Sequence, residues 1–288
     1  MASLKEVKGR IASVNNTRKI TSAMKMVASA KLHKAQAAIE SMLPYERRLH
    51  HILTDFMSNC TEVTSPFIVK REVKRVAVVV FASNTSLCGG FNANVIRHLV
   101  DLLAEYKPLG LENILVFPVG KKVADAIRKL GFRIEGDFQH MADKPSYQEA
   151  ADLATDLMKR FLHGDMDKVE LLYNHFKSTA SQILTRETYL PIDLNNEKKE
   201  EKEKTIDYIL EPSAEELMQD MLPKVLRMKM FTVLLDSNAA EHAARTMAMQ
   251  IATDNANELL QELTVMYNKS RQQAITNELL DIVGGSMA

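Results

Sequence analysis

The chain has no tryptophan, two cysteines, ten glycines and eight prolines in 288 residues, and its basic and acidic side chains cancel to a net charge of zero. Each scarcity removes a class of protein. Two cysteines, Cys60 and Cys88, cannot build a disulfide framework, so the sequence fits a reducing compartment. Sparse glycine and proline exclude collagen-like and mucin-like chains. The longest unbroken apolar run, Val76 to Ala82, falls far short of the roughly 20 residues that a membrane-spanning helix needs. The opening segment MASLKEVKGRI carries charges where a secretory signal has its apolar core, so no signal peptide is expected. What remains is ordinary globular composition, 46% hydrophobic and 26% charged, with length for one large domain or two smaller ones.

The neutral total hides an uneven distribution. Residues 1–35 hold eight Lys/Arg and one acid, a local net of +7 that the rest of the chain balances. Such asymmetry points to a charged partner. The basic set is Lys5, Lys8, Arg10, Arg18, Lys19, Lys25, Lys31 and Lys34. Three readings are open: a protein partner with an acidic lining, a solvated helix face, or a nucleic-acid or lipid surface. No aromatic residue precedes Tyr45, which leaves out the stacking platforms and membrane anchors of the third reading.

Three textures follow one another along the chain. From Ser3 to about Phe56, apolar residues recur at helical spacing: Leu4, Val7, Ile11 and Val14, then Ile20, Met24 and Val27, then Ala35, Ile39 and Met42. A helix of that length reaches roughly 80 Å and needs a long partner. From about Val73 to Pro191 the period switches. VAVVVF (Val76–Phe81) and ILVFPV (Ile114–Val119) read as buried strands, and Phe132–Glu135 as a short one. Phe91–Tyr106, Lys121–Leu130 and Ser146–Leu162 read as helices between them, and Val169–Phe176 with Gln182–Leu190 as antiparallel neighbours. This alternation implies a largely parallel sheet covered on both faces. NNEKKEEKEK (Asn195–Lys204) reads as a solvated linker or a docking tail. From Pro212 to about Val283 a second long helix is expected. Ser213 and Glu216 form its capping box, Pro223 kinks or restarts it, and Gly284-Gly285 stops it. Its seam is read as Ala252, Ala256, Leu259, Leu263 and Met266, resuming at Ile275, Leu279 and Ile282. The implied architecture is an antiparallel coiled coil of the two terminal helices with an inserted α/β domain. Small residues (Ala35, Ala38, Ala248, Ala252, Ala256) allow close approach of the two backbones. In residue numbers, 1–58 and 212–288 form the coil, 73–194 the α/β domain and 195–211 the linker.

Motifs of bond chemistry are scarce. The turn Leu87-Cys88-Gly89-Gly90 follows the first strand, where α/β folds hold phosphates at a helix N-terminus, yet neither G-x-G-x-x-G nor G-x-x-x-x-G-K-[ST] occurs. A nucleotide loop and a tightly packed turn are the two readings. Cys88 reads as a nucleophile or as a buried structural thiol; a phosphatase-type loop would want arginine where Asn94 stands. His50, His51, His140, His163, His175 and His242 show no metal-ligand spacing. No catalytic residue, cofactor or metal is expected. Sixteen methionines, among them Met24, Met26, Met247 and Met249, fit a plastic core or an adaptable contact surface.

Long motifs at both ends carry a resemblance. RIASVNNTRKITSAMKMVASAKLHKAQ (Arg10–Gln36) resembles the N-terminal helix of the gamma subunits of F-type ATP synthases, and Ala243–Gly285 resembles their C-terminal block. SLCGGFN (Ser86–Asn92) is similar to their central-domain turn. Departures are small: Asn84 and Ser86 stand where the family commonly has Asp and Gly, and Ala240-Glu241 where it often has Ser-Glu. The regulatory cysteine-bearing insertion of chloroplast members is absent, and no transit peptide is expected, so the resemblance is to bacterial members.

The resemblance implies a fold of α/β type with long helices, in which an antiparallel coiled coil carries a Rossmann-like domain. It implies a central rotor stalk that catalyses nothing itself. The coil enters a ring of three alpha and three beta subunits, and the α/β domain contacts the epsilon subunit and the c-ring. No nucleic acid is involved, and the complex sits on the cytoplasmic face of the bacterial membrane. Lys19, Met24, Lys25 and Lys31, with Arg245, Asn255, Arg271, Gln272, Thr276 and Glu278, are the expected contacts with the ring. Met24 and Ile275–Ile282 would form its less polar bearing surface. Two rivals remain: a nucleotide-dependent α/β enzyme and a basic coiled-coil nucleic-acid adaptor.

Overall fold

The computed structural model describes residues 3–59, 65–192 and 214–286. Ser213 of the expected capping box, Cys60 and the charged segment 195–204 lie outside the described residues. Helix α1 spans Leu4–Asn59, 56 residues, or about 84 Å. The C-terminal helix, α6, spans Ala214–Ser286, 73 residues, or about 110 Å.

Their pairing is antiparallel. Thr21 Oγ1 meets Thr253 Oγ1 at 2.8 Å, Arg18 reaches Asn257 at 3.3 Å, and Leu32 and Ala35 pack with Ala239 and Ala243. Along α1 one line of covered positions runs through Val7, Ile11, Val14, Arg18, Thr21, Lys25, Ala28, Leu32, Ala35, Ile39 and Met42, an unbroken alternation of four and three, with Leu4, Asn15, Ser22, Met24, Gln36 and Ala38 half-buried beside it. Along α6 the corresponding line is Met249, Thr253, Ala256, Leu260, Leu263, Tyr267, Ser270 and Ala274, with Gln250 and Ala252 half-buried beside it. This corrects the expected seam. Ile20 and Val27 are 60% and 58% exposed, and Leu259, Met266, Ile275, Leu279 and Ile282 also face outward. The cause is the polar middle of the heptad. Arg18, Thr21 and Lys25 occupy inward positions, so a reading that follows apolar residues drifts to the neighbouring stripe. The small residues Ala35 and Ala256 are buried at the seam as expected, and Ala38, Ala248 and Ala252 are half-buried.

Both helices contain a proline, Pro44 in α1 and Pro223 in α6. The expected restart at Pro223 does not occur; α6 is one element from Ala214 onward. Proline removes one helical hydrogen bond, and the burial of Met218, Leu222 and Leu226 on either side offsets that loss. The expected stop at Gly284-Gly285 is also passed, since α6 includes both. A helical glycine costs only about 1 kcal/mol against alanine.

Between the long helices lies a five-stranded sheet. The strands are β1 (Val76–Phe81), β2 (Ile114–Val119), β3 (Arg133–Ile134), β4 (Lys168–Phe176) and β5 (Gln182–Leu190), in the order β3-β2-β1-β4-β5. All pairings are parallel except β4 with β5. Helices α2 (Phe91–Tyr106), α3 (Lys121–Leu130) and α5 (Tyr147–His163) fall where the periodicity placed them. The short α4 (Gln139–Asp143) and two 3-10 turns at 107–113 carried no sequence signal.

The central strands β1 and β2 are buried on both faces, which is why they read as continuous apolar runs. On one face Val76, Val78 and Val80 pack with Val95, Leu99 and Leu103 of α2 and Val123 and Ile127 of α3. On the other, Ala77, Val79 and Phe81 pack with Leu153, Leu157 and Phe161 of α5. That second layer also contains Met218, Leu222, Leu226, Met230, Val233 and Leu234 of α6. The first third of the C-terminal helix is thus part of the sheet's own core. Tyr189 fixes it there by donating to the Leu226 carbonyl at 2.8 Å in a buried bond.

Gly120, between β2 and α3, holds φ at +119°, and a Cβ there would lie 2.2 Å from the Ala82 carbonyl oxygen. Gly120→Ala therefore combines backbone strain with a backbone clash and is expected to cost at least about 3 kcal/mol. A fall in the urea midpoint with an unchanged slope is the expected result.

Candidate functional site

Between β1 and α2 the chain makes the turn that the sequence singled out. Leu87 and Gly89 take left-handed angles, φ 69° and 59°, while Gly90 stays at −79° and opens α2. Only one of the two glycines is therefore needed for its angle; the other left-handed position is a leucine, and its side chain is exposed. Cys88 turns inward and is buried with Phe91 and Ala240, against Phe176 and Ala244. Asn92 locks the turn from α2. Its Nδ2 donates to Ser83 Oγ at 2.7 Å and to Cys88 Sγ at 3.1 Å, and its Oδ1 accepts from the Ser83 N–H at 3.1 Å. Asn84 Oδ1 accepts from the Lys121 N–H at 2.8 Å while its Nδ2 donates to the Gln139 carbonyl at 2.8 Å. Aspartate at this position would lose the second bond, since an ionised carboxylate donates nothing.

The turn is braced to the shaft by one arginine. Arg245 of α6 is 9% exposed. It donates to the Ser86 carbonyl, to Thr85 Oγ1 at 2.9 Å and to Glu241 Oε1 at 2.7 Å. Burial raises the Glu241 carboxyl above its ordinary range, and Arg245 opposes that rise. One turn away, His242 faces α1 with its Nδ1 buried and unpartnered among the described residues. Its pKa is lowered to about 4, first by burial and then by the charges of Lys31 and Arg245. A second tie joins the end of β4 to α6: Asp236 accepts from the Phe176 N–H at 2.8 Å and lies 2.6 Å from His175 Nδ1.

The residues that the resemblance assigned to ring contacts fall into three sets. Lys19 is exposed on α1, with Met24 and Lys25 half-buried beside it and Asn255 exposed on α6 at the same level. Lys31 is exposed near the level of His242. Arg271, Gln272, Thr276 and Glu278 are exposed on the last turns of α6. With Thr21 opposite Thr253, the start of α1 lies level with about residue 270. Past that level α6 continues with no partner helix among the described residues, and Ile275, Leu279, Leu280, Ile282 and Val283 are all exposed. Arg245 belongs to none of these sets, because its guanidinium is engaged inside the chain. The residues that sequence reasoning missed are its partners, Thr85, Ser86 and Glu241. The spacing of Glu241 and Arg245, one helical turn, was the available signal. Among the described residues, no group of three or more His, Cys, Asp or Glu side chains is placed to hold a metal.

Two measurements probe this joint. Arg245→Leu leaves a buried carboxylate without its partner and is expected to cost about 3–5 kcal/mol in urea unfolding. Adding Glu241→Leu should restore most of that loss, leaving only the bonds to Thr85 and Ser86 unreplaced. The second concerns pH. Because folding depresses the His242 pKa from 6.5 to about 4, the unfolded chain binds a proton here that the folded chain refuses. Stability contributed by the neutral ring is present above pH 6.5 and is lost as pH falls through that window. His242→Gln should flatten this part of the stability–pH curve.

A family model described as ATP synthase matches residues 3–288. The chain is 82% identical to the ATP synthase gamma chain of Phocaeicola vulgatus and 64% identical to that of Bacteroides thetaiotaomicron, each over the full length of both proteins. Among solved structures it is similar in fold to a chain of the Euglena gracilis mitochondrial ATP synthase (OSCP/F1/c-ring), with a TM-score of 0.66 at 21% identity, covering 99% of this chain and 93% of that one. A chain of the Tetrahymena thermophila ATP synthase central stalk and c-ring aligns with a TM-score of 0.57 at 22% identity, covering 81% of this chain and 99% of that one. Paired terminal helices, the inserted mixed sheet and a full-length match at this identity have one explanation: the chain belongs to the gamma-chain family of F-type ATP synthases, whose members form the central stalk and are not themselves catalytic.

Proposed function

We propose that this chain transmits torque from a membrane-embedded c-ring to a ring of three alpha and three beta subunits. In this reading the sheet domain meets the c-ring and the epsilon subunit, and the assembly sits at the cytoplasmic face of the bacterial membrane. The observation that carries the reading is the double role of α6. Its first third lies in the sheet's core and its remainder forms the shaft, so a couple applied to the domain enters the shaft through one unbroken helix. No helix among the described residues is long and apolar enough to cross a membrane, which fits a subunit driven by others.

The shaft is asymmetric. Lysines crowd one helix, and the far end is a single helix with an apolar exposed face. Three catalytic subunits around it meet three different surfaces. Only contacts that differ between conformations shift an equilibrium, so each angle of the shaft favours a different state in each subunit. Lys19, Lys25 and Lys31 with Asn255 supply the polar contacts that sense angle. Arg271 and Gln272 add to those polar contacts, and Met24 with the segment Ile275–Ile282 supplies the less polar bearing. Arg245 contributes indirectly, by holding the sheet domain's turn against the shaft.

Reconstitution with the alpha and beta subunits of the same organism tests the assembly; the expected result is one copy of this chain per six-subunit ring. In the complete enzyme, Lys25→Glu with Lys31→Glu should lower protons pumped per ATP hydrolysed several-fold while hydrolysis itself persists. Unchanged pumping per ATP would remove these lysines from the coupling surface.

A further inference from the structure

The sheet domain and the shaft have separate hydrophobic cores, and a transfer of torque needs a grip between them. Hydrophobic packing alone resists turning weakly, because it is non-directional. The packing of the sheet on α6 also includes Met218 and Met230, whose side chains adapt to a shifted neighbour. Directional ties exist as well. Among them are Tyr189 to the Leu226 carbonyl, Arg227 Nε to Thr155 Oγ1 at 3.1 Å, and Asn238 Nδ2 to the Ala142 carbonyl at 2.8 Å. These join the domain to α6 alone. None lies in the core between α6 and α1, and that pairing is what makes the shaft stiffer than a single helix. One residue of the domain does reach it. Phe176, at the end of β4, packs against the cluster in which Leu32 and Ala35 of α1 meet Ala239 and Ala243 of α6. Among the described residues it is the only hydrophobic side chain of the sheet domain packed there. It also packs against the cluster of Cys88, Phe91 and Ala240 behind the braced turn. Its backbone is held too. Asp236 Oδ1 accepts from the Phe176 N–H at 2.8 Å, and Asp236 Oδ2 lies 2.6 Å from His175 Nδ1. Asp236 sits between Leu234, the last α6 residue of the sheet's core, and Ala239, the first of the shaft's.

We propose that Phe176 is the key by which the sheet domain grips the two-helix shaft, and that Asp236 is the positioning residue that holds this key in its slot. The inference rests on the rotor reading and adds the place where torque crosses from one core to the other. Turning of the domain about α6 drags the Phe176 side chain sideways through its neighbours. Interiors packed to crystal density have no free space for that movement, so the ring resists turning in either sense. The slot is made by small residues. Ala35, Ala239, Ala240 and Ala243 leave room for one aromatic side chain beside helices that approach closely. The hydrogen bond from the Phe176 N–H to Asp236 is directional and fixes where the end of β4 lies along α6. Without the key, torque enters through α6 alone. Helix α1 then follows only through its own seam, which is polar at Arg18, Thr21 and Lys25. The shaft would lag behind the domain under load.

The test uses the complete enzyme in vesicles, and the complex of this chain with its alpha and beta subunits fixed to a surface. In the fixed complex a gold rod attached to the sheet domain reports the spread of the domain's angle about the shaft. Phe176→Ala should widen that spread while ATP hydrolysis by the complex persists. In vesicles, ATP-driven proton pumping by this variant should fall several-fold against an imposed proton gradient and much less without one. Phe176→Leu keeps most of the volume and should restore most of both. Asp236→Ala leaves the aromatic ring in place and should widen the spread by a smaller amount. Asp236→Asn keeps an acceptor for the Phe176 N–H and should bring the spread back toward that of the unsubstituted chain. The Asp236 pair decides the matter where loss of the ring prevents assembly. An unchanged spread in both alanine variants, or equal spreads in Asp236→Ala and Asp236→Asn, would overturn the proposal. A rod that fails to turn with ATP on the unsubstituted chain would instead remove the rotor reading itself.

Discussion

A helix of 73 residues gains little from intrinsic propensity, and its persistence in water depends on where its apolar side chains go. In α6 they go to two places. Met218 to Leu234 complete one face of a twisted sheet, and from Ala239 onward the inward residues pair with α1. Everything else is arranged around that continuity. Without α6 the sheet's second face keeps mainly the cover of α5, and among the described residues α1 packs mainly on α6. The brace at Arg245 and the tie at Asp236 sit where the helix passes from one core to the other, and both bind loops of the sheet domain to it. They oppose rotation of the domain about the helix at the one level where hydrophobic packing changes partner.

The seam of the shaft is not built for maximum stability. Arg18, Thr21 and Lys25 sit at inward heptad positions, and the Thr21–Thr253 hydrogen bond replaces an aliphatic contact. A polar seam holds register at a cost in affinity between the helices. Meanwhile Ile20, Val27 and Ile251 are spent outward, on the solvent side of the isolated chain.

Much of this was legible in the sequence, and the failures are instructive. β1 was unmistakable because six consecutive residues are buried on both faces. The antiparallel pairing followed from two long helices and one domain between them. In the middle of the seam hydrophobic periodicity points to the neighbouring stripe, because the actual line runs through Arg18 and Lys25. Burial of Arg245 was invisible for another reason. Its partners Thr85 and Ser86 lie about 160 positions away in the chain, and the local Glu241–Arg245 spacing marks a pair of charges without saying that the pair is buried. That α6, among the described residues, runs without a partner helix past residue 270 is equally hidden, because it depends on the register between two helices and on nothing in either one.

The antiparallel shaft also sets an order of events at the ribosome. Thr21 and Thr253 are 232 positions apart, so at typical elongation rates α1 waits roughly 10–50 s for the segment it will pair with. For all of that time its inward face, from Val7 to Met42, is exposed to whatever else is nascent nearby. The polar residues in the middle of that face then serve a second purpose. They interrupt what would otherwise be an unbroken adhesive stripe on an unfinished chain. The sheet domain, which needs the start of α6 to close, folds only shortly before the shaft can zip.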